Sequence, residues 1–176
     1  MHNYHLKKAL VAFILSFSII AHAQEKVAPT SQFSIEGKLK NPFVFSFKEA
    51  AGYAVVSIDS LVIYNHLHER KRAINHIKGI LLKDILTKAA IDEGSPKLLS
   101  EYYITCIASD GYKVVFSWNE IFNTEIGNHI LIAIEAGGLK AEAMPDGMLL
   151  FSAMDINTGR RFVKGLSKIV IERVNQ

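Results

Sequence analysis

Two runs of alternating apolar and polar residues flank an Asp-Gly pair in the middle of the chain. The runs cover residues 102–108 and 113–118, and the four residues between them read Ser-Asp-Gly-Tyr. Alternation with a period of two is typical of strands that have one buried face. Asp-Gly between two such runs is a strong signal for a tight turn. The sequence therefore predicts an antiparallel hairpin at Asp110, and this part of the chain is expected to belong to a sheet.

The remainder of the chain is also rich in strand patterns. Alternating or Val/Ile-rich runs predict further strands at 33–39, 43–47, 57–64, 130–136, 148–153 and 166–174. Within residues 81–90, four apolar residues share one helical face, and Ser117 is placed to begin a second short helix. These patterns predict one strand-rich α+β domain over residues 33–174, with short helices at its periphery.

The N-terminus has the pattern of a secretory signal peptide. Lys7 and Lys8 precede an apolar run at 9–20, and Ala21-His22-Ala23 fits a cleavage site. The run is shorter than the roughly 20 apolar residues that span a membrane, although an uncleaved anchor is the alternative interpretation. The sequence therefore predicts a signal peptide at 1–23, a flexible leader at 24–32, and an exported protein that is periplasmic or secreted, with no stable membrane anchor after cleavage.

Charge and cysteine content exclude some classes of function. Removing Lys7 and Lys8 with the signal lowers the count of Lys plus Arg from 20 to 18, against 17 acidic residues. So small a net charge, without a concentrated basic face, argues against nucleic acid as a partner. One cysteine, Cys106, excludes an internal disulfide, so the apolar core must provide the stability.

Three segments in the second half carry a resemblance to a known family. They are IKGILLKDIL at 77–86, ASDGYKVVFSWNEI at 108–121 and RRFVKGLSKIVI at 160–171. In this order they resemble the molybdopterin-binding domain of the sulfite oxidase type. The resemblance implies mixed sheets that enclose a pterin pocket. It also implies molybdopterin as the cofactor, with the molybdenum held by one cysteine thiolate on a loop that follows a strand.

The position that corresponds to this thiolate holds no cysteine. The matching window is 64–68, which contains Tyr64, Asn65, His66 and His68. Imidazole and phenolate are poor replacements for a soft thiolate on molybdenum. The family also places a histidine and an arginine near the cofactor where this chain has Met-Pro-Asp-Gly-Met at 144–148. We therefore expect a domain that binds a pterin or other anionic ligand without oxo transfer of its own. An active molybdenum oxidoreductase domain is the alternative.

Basic residues late in the chain are the candidates for the ligand's phosphate. The resemblance implies that Arg160, Arg161 and Lys164 provide cationic contacts to the cofactor, together with Asn65 and His66 in the same cleft. Guanidinium groups bind phosphate oxygens through paired hydrogen bonds, and lysine provides a point charge. The alternative interpretation of these late basic residues is a solvated turn beside an acidic residue.

His66 and His68 also suggest a metal site. If they lie on a strand, their side chains face the same side and could bind one ion, with His76 as a third ligand. A solvated loop is the alternative, because a charged run follows at 69–72. A His-based metal-binding or protein-interaction module is thus the second alternative function.

Two other residues have more than one interpretation. For Cys106, we expect a buried small hydrophobe, since no positive charge lies nearby in the sequence; a nucleophile paired with His129 is the alternative. Tyr112, in the hairpin turn, either covers the edge of the core or provides a wall for a planar ligand.

Overall fold

A computed structural model describes residues 26–174, which form eleven strands, two short α-helices and several 3-10 turns. The helices are α1 (Leu82–Leu86) and α2 (Trp118–Phe122). The strands are β1 (Gln32–Gly37), β2 (Phe43–Ser46), β3 (Val56–Tyr64), β4 (Arg70–Leu81), β5 (Tyr102–Ala108), β6 (Lys113–Ser117), β7 (Ile130–Ala136), β8 (Leu139–Lys140), β9 (Leu149–Ser152), β10 (Val163–Lys164) and β11 (Leu166–Arg173).

The strands form two sheets. The first has the order β2-β1-β11-β5-β6, and the second has the order β10-β9-β7-β4-β3, with β8 on β7. In the first sheet β1 runs parallel to β11, with Ile35 opposite Ile169, whereas the other pairs are antiparallel. The pairs of the second sheet are antiparallel. The first sheet is therefore mixed, and its parallel pair joins the first and last strands of the domain.

Two hydrophobic clusters hold the sheets in place. One contains residues from both sheets, such as Phe33 and Ile169 of the first and Ile132 of the second. The other lies on the second sheet and includes Leu61, Phe151 and the Phe162 side chain that follows the last 3-10 turn. The second sheet therefore contributes to both clusters, and its two faces carry apolar residues in its central strands.

The predicted hairpin is confirmed. β5 and β6 pair antiparallel with Cys106 opposite Val114, and the Tyr112 N–H donates to Asp110 Oδ1 at 3.0 Å. Gly111 has φ +80°, a conformation that glycine adopts without steric cost. Ser117 also begins α2 as predicted, because its hydroxyl accepts from the Glu120 N–H while the Glu120 carboxylate accepts from the Ser117 N–H. The strand-rich α+β class is likewise confirmed.

Residues 69–72, considered above as a solvated loop, are mostly strand in the structure. β4 begins at Arg70 and is the longest strand described. Its partner β7 pairs only with the last part of β4, from Lys78 onward, so the earlier part forms a two-stranded ribbon with β3. Side chains of such a ribbon reach water, which accommodates a basic run that a buried strand would exclude.

α1 is also shorter than predicted, although Leu82, Ile85, Leu86 and Ala89 are buried together as expected.

The predicted signal peptide lies outside the described residues. The described part of the predicted leader packs on the domain: the Ala28 N–H donates to Ser109 Oγ at 2.8 Å, and the Thr30 hydroxyl donates to the Leu166 carbonyl at 2.8 Å. Between residues 26 and 174, no helix has the length and apolar character needed to cross a membrane.

Candidate anion-binding site

The loop between β3 and β4 is organised by Asn65. Its Oδ1 accepts from the Leu67 N–H at 3.0 Å and from the Glu69 N–H at 2.9 Å. Its Nδ2 donates to the Glu69 carboxylate at 2.8 Å. An Asn side chain that bonds to backbone groups further along the chain fixes a tight turn. Asn65 therefore fixes the conformation of this loop, which also contains His66.

A 3-10 turn at Thr158–Arg161 is fastened to β3 beside this loop. The Tyr64 N–H donates to Thr158 Oγ1 at 3.0 Å, and the Thr158 hydroxyl donates to the Val62 carbonyl at 2.6 Å. Gly159 lies so close that a Cβ atom there would stand 2.7 Å from the Tyr64 carbonyl oxygen. This close packing brings Arg160 next to the β3–β4 loop.

These segments enclose a pocket of about 230 Å³, which we call the hairpin pocket. Its lining residues are Ile63, Asn65, His66, Lys71, Tyr112, Gly159 and Arg160. Tyr112 comes from the β5–β6 hairpin, and its hydroxyl donates to the Arg160 carbonyl at 2.5 Å. The hairpin pocket is thus assembled from both sheets, and its lining residues include an asparagine, a histidine, a lysine and an arginine.

The cations of the hairpin pocket differ in how they are neutralised. Lys71 pairs with Glu69 at 2.8 Å, and both side chains are more than half exposed. The hydrogen bonds from Lys71 and Asn65 hold the pKa of Glu69 below its usual value, so this carboxylate stays ionised. Among residues 26–174, no carboxylate forms an ion pair with the exposed Arg160. Arg160 therefore keeps donors for an anion from solution.

Arg161, which the resemblance assigned to the same cleft, lies elsewhere. It pairs with Asp155 at 2.6 Å and with Glu120 at 2.9 Å, and its guanidinium lies 4.3 Å from the centre of the Phe116 ring. The hydrogen bond to Asp155 and that to Glu120 raise its pKa further, against the effect of burial. Its donors are taken up within the protein, so it fixes the 3-10 turn to α2.

Lys164 is also outside the hairpin pocket. It pairs with Asp146 at 2.9 Å, and Arg72 reaches the same carboxylate at 3.9 Å. Of the five predicted contacts, the structure therefore brings Asn65, His66 and Arg160 together and leaves Arg161 and Lys164 apart.

The prediction did not include Lys71 as a site residue. Lys71 stands inside the charged run at 69–72, where the sequence has no feature that separates it from its neighbours. Only the pairing of β4 with β3 brings it to the loop.

The two histidines of the metal hypothesis do not share a strand face. Both lie in the turn between β3 and β4, and His68 has φ +60°. The His68 ring stacks on Tyr64 with 4.8 Å between ring centres, and its Nδ1 lies 3.0 Å from Asn157 Oδ1. Within the described part of the chain, no group of three or more His, Cys, Asp or Glu side chains is placed to hold a metal ion.

Cys106 is a buried residue of β5, as predicted. It is fully covered, with Val114 and Ile169 as its neighbours on the adjoining strands. Burial raises the pKa of its thiol, which makes the thiolate unfavourable. The 64–68 window provides no sulfur in its place. The residues present therefore do not fit a molybdenum ion that is held by a protein thiolate.

Comparison with solved structures finds a similar fold. The domain is similar to a chain of the sulfane dehydrogenase SoxCD from Paracoccus pantotrophus, with a TM-score of 0.52 and 12% sequence identity. The match covers 85% of this chain and 40% of the SoxCD chain, so this chain spans less than half of that protein's length. The likeness concerns the fold alone. No protein-family model and no curated protein sequence matches the chain.

Proposed function

We propose that this chain is an exported domain with the sulfite oxidase-type fold that binds a small anionic ligand in the hairpin pocket. The ligand is a pterin or another molecule that carries a phosphate, and the domain performs no oxo transfer by itself. The observation that carries the proposal is the position of Arg160. Arg160 is exposed, forms no ion pair with a carboxylate among the described residues, and lines the same pocket as Asn65, His66 and Lys71.

The lining chemistry supports an anion with a planar group attached. A guanidinium binds phosphate oxygens in a bidentate way, and an ammonium adds charge without a fixed direction. The ring of Tyr112, 42% exposed, offers an apolar surface beside these cations. The volume, about 230 Å³, is below the 300–1,000 Å³ typical of pockets for complete drug-sized ligands. We therefore infer that the pocket takes the phosphate end of its ligand.

One resemblance, in sequence, supports a pterin as the ligand class, and the likeness to SoxCD supports the type of fold. The segments at 77–86, 108–121 and 160–171 resemble the molybdopterin-binding domain of the sulfite oxidase type. SoxCD, with a similar fold, is by its name a dehydrogenase, which is an oxidoreductase. The lack of a thiolate in the loop argues that any such ligand binds here without a protein-held molybdenum. Molybdenum in stoichiometric amount in the protein purified from its source would contradict this part of the proposal.

Export is part of the proposal and rests on the pattern at 1–23. We expect the mature chain to begin at Gln24 and to be periplasmic or secreted. The mass of the purified protein tests this, because an intact mass that includes residue 1 would contradict cleavage.

Titration with defined anions tests the binding site. Inorganic phosphate and a pterin monophosphate are titrated into the mature protein by calorimetry, and Arg160→Ala is compared with the wild type. A charge-assisted hydrogen bond contributes about 1.5–3 kcal/mol, so we expect an affinity lower by about tenfold or more. Arg160→Lys should lie between the two, because it keeps the charge and loses the paired donors.

Lys97→Ala is the matched control. Lys97 is an exposed cation in the 3-10 turn Pro96–Glu101, outside the lining of the hairpin pocket. Its loss changes net charge by the same amount as the loss of Arg160, and we expect unchanged affinity. An Arg160→Ala protein that binds both anions as the wild type does would overturn the proposal, as would a wild type that binds neither.

A further inference from the structure

The free edge of the second sheet at β3 is less protected against pairing with another chain than the edges of the first sheet. Unpaired strand edges invite pairing with other chains, and proteins commonly protect them by short length, lysine or proline. The first sheet ends in β2, which has four residues and follows Pro42, and in β6, which has five and begins at Lys113. β3 has nine residues, contains no Lys, Arg or Pro, and carries one charge, Asp59. It is thus the edge with the least protection among the described strands.

Part of this edge is already used, and part is open. The Thr158 hydroxyl is hydrogen-bonded to the Val62 carbonyl and the Tyr64 N–H. The end of β3 near the hairpin pocket is therefore not available to a further strand. β4 is the only strand beside β3 in the described sheet. Because backbone groups of a strand point alternately to its two sides, half of those between Val56 and Leu61 point away from β4. Within residues 26–174, these outward-pointing backbone groups form no hydrogen bond.

A groove runs along this open edge. Its volume is about 490 Å³, and its walls are β3 and the loop that leads to Thr158. Ile156, an apolar residue of that loop that lines the groove, is 80% exposed. Exposed apolar side chains beside open backbone donors and acceptors are the two features that an added strand requires. The groove lies on the other side of Thr158 from the hairpin pocket and shares no lining residue with it.

The charge of the groove indicates which occupant fits. Two charged residues of its lining already have partners, since Asp155 pairs with Arg161 and His129 pairs with Glu125 at 3.5 Å. The exposed Asp59 of β3 forms no ion pair among the described residues, so it is the charge left for an occupant. A second copy of this chain is disfavoured on this ground. In the antiparallel register that overlaps Val56–Val62 fully, Asp59 would lie directly opposite Asp59 of the other copy, and like charges directly opposite each other are destabilising.

We propose that the open edge of β3 accepts an extended segment of a partner protein as an added strand. In this segment apolar residues alternate with polar ones. The apolar residues contact Ile156, and a lysine or arginine lies opposite Asp59. Backbone hydrogen bonds to the Val56–Leu61 part of β3 provide the attachment, and the ion pair with Asp59 sets the register. This inference does not depend on the function of the hairpin pocket.

A synthetic peptide tests the proposal. The probe is acetyl-Val-Thr-Val-Lys-Val-Thr-Val-amide, added to the mature protein while amide hydrogen exchange is followed by NMR. We expect saturable binding and at least tenfold slower exchange of amides between Val56 and Leu61. Two analogues are N-methylated at alternate amides, which removes the donors on one side of the peptide or the other. One analogue should lose binding and the other should keep it, because only one side faces β3.

A charge exchange tests the register. Asp59→Lys should weaken the lysine peptide about threefold, as expected for an exposed cross-strand ion pair, and should strengthen a peptide with glutamate at that position. Asp59 is exposed, so this variant should melt like the wild type. No exchange protection at millimolar peptide, or equal binding of both N-methylated analogues, would overturn the proposal. A free protein that is already dimeric, with these amides protected, would assign the edge to a second copy instead.

Discussion

Arg160 and Arg161 are neighbours in one 3-10 turn, yet their surroundings assign them different roles. Arg161 is held by Asp155 and Glu120 and lies over the Phe116 ring. Arg160 is exposed at the hairpin pocket. The sequence could not separate them, because Asp155 is close to both arginines in the chain, and Glu120, the second partner of Arg161, is 41 residues away. By contrast, the burial of Cys106 was predictable, since the alternation of its own strand indicates it.

The roles of the two arginines predict different effects on stability. Arg161→Ala leaves Asp155 and Glu120 without their partner in a partly buried place, so we expect the free energy of unfolding to fall by about 2–3 kcal/mol. Arg160→Ala removes an exposed side chain and should change it by less than about 0.5 kcal/mol. Urea denaturation of both variants measures this. Equal losses for the two would contradict the assignment of Arg161 as the structural residue.

The pH dependence of stability tests the ion pair between Arg161 and Glu120 through the titration of the Glu120 carboxylate. Burial opposes the ionisation of Glu120, but hydrogen bonds from Ser117 and Arg161 outweigh it, and the net effect lowers its pKa. A carboxylate whose folded pKa lies below its unfolded value, about 4.3, stabilises the fold above that pH, and this contribution is lost as the pH falls through the folded pKa.

We therefore expect the wild type to lose stability between about pH 5 and pH 3 more steeply than Glu120→Gln. The glutamine variant cannot titrate at this position and provides the matched control. Denaturation curves across this range decide the question, and parallel pH profiles of the two proteins would count against an ionised Glu120 as a source of stability.

Among the secondary structure elements, those with local signals were predictable and those fixed by tertiary pairing were not. The β5–β6 hairpin has its turn residues in the sequence, and α2 has its cap at Ser117. β4 was not predicted as a strand, because it begins in a charged run that becomes a strand only by pairing with β3. The turn Thr158–Arg161 is likewise defined by its attachment to β3, which no local pattern indicates.

Thr158 is the residue whose loss should detach this turn. Its side chain is buried, 5% exposed, and makes two hydrogen bonds to the backbone of β3. Thr158→Val has nearly the same shape but cannot make them, so we expect a loss of about 1–3 kcal/mol in unfolding free energy. Phosphate affinity should fall as well, because the turn places Arg160.

Thr105→Val is the isosteric control for this prediction. Thr105 is half-buried on β5, away from the turn, and its hydroxyl has no hydrogen-bond partner among the residues described. It should change stability by less than about 0.5 kcal/mol. If Thr158→Val is as stable as this control and binds phosphate equally well, the hydrogen bonds to β3 do not position Arg160.

At the scale of the whole molecule, the hairpin pocket depends on how the two sheets meet. Tyr112 belongs to the first sheet's hairpin, whereas Asn65 and Lys71 flank the turn of the second sheet. The strand-rich α+β class followed from the patterns of single segments. The order of the strands did not, since the parallel pairing of β1 with β11 joins segments more than 130 residues apart in the sequence. The resemblance of three segments indicated a mixed-sheet architecture, and it could not distinguish Arg160 from Arg161.

The central claim is that an anion binds at the hairpin pocket through Arg160. Chemical-shift mapping with inorganic phosphate on isotope-labelled mature protein tests it most directly. We expect saturable shifts centred on the amides of residues 65–71, 112 and 159–160, which disappear in Arg160→Ala and persist in Lys97→Ala. Shifts centred on Arg161 and Lys164, or no saturable shifts in the wild type, would contradict the claim.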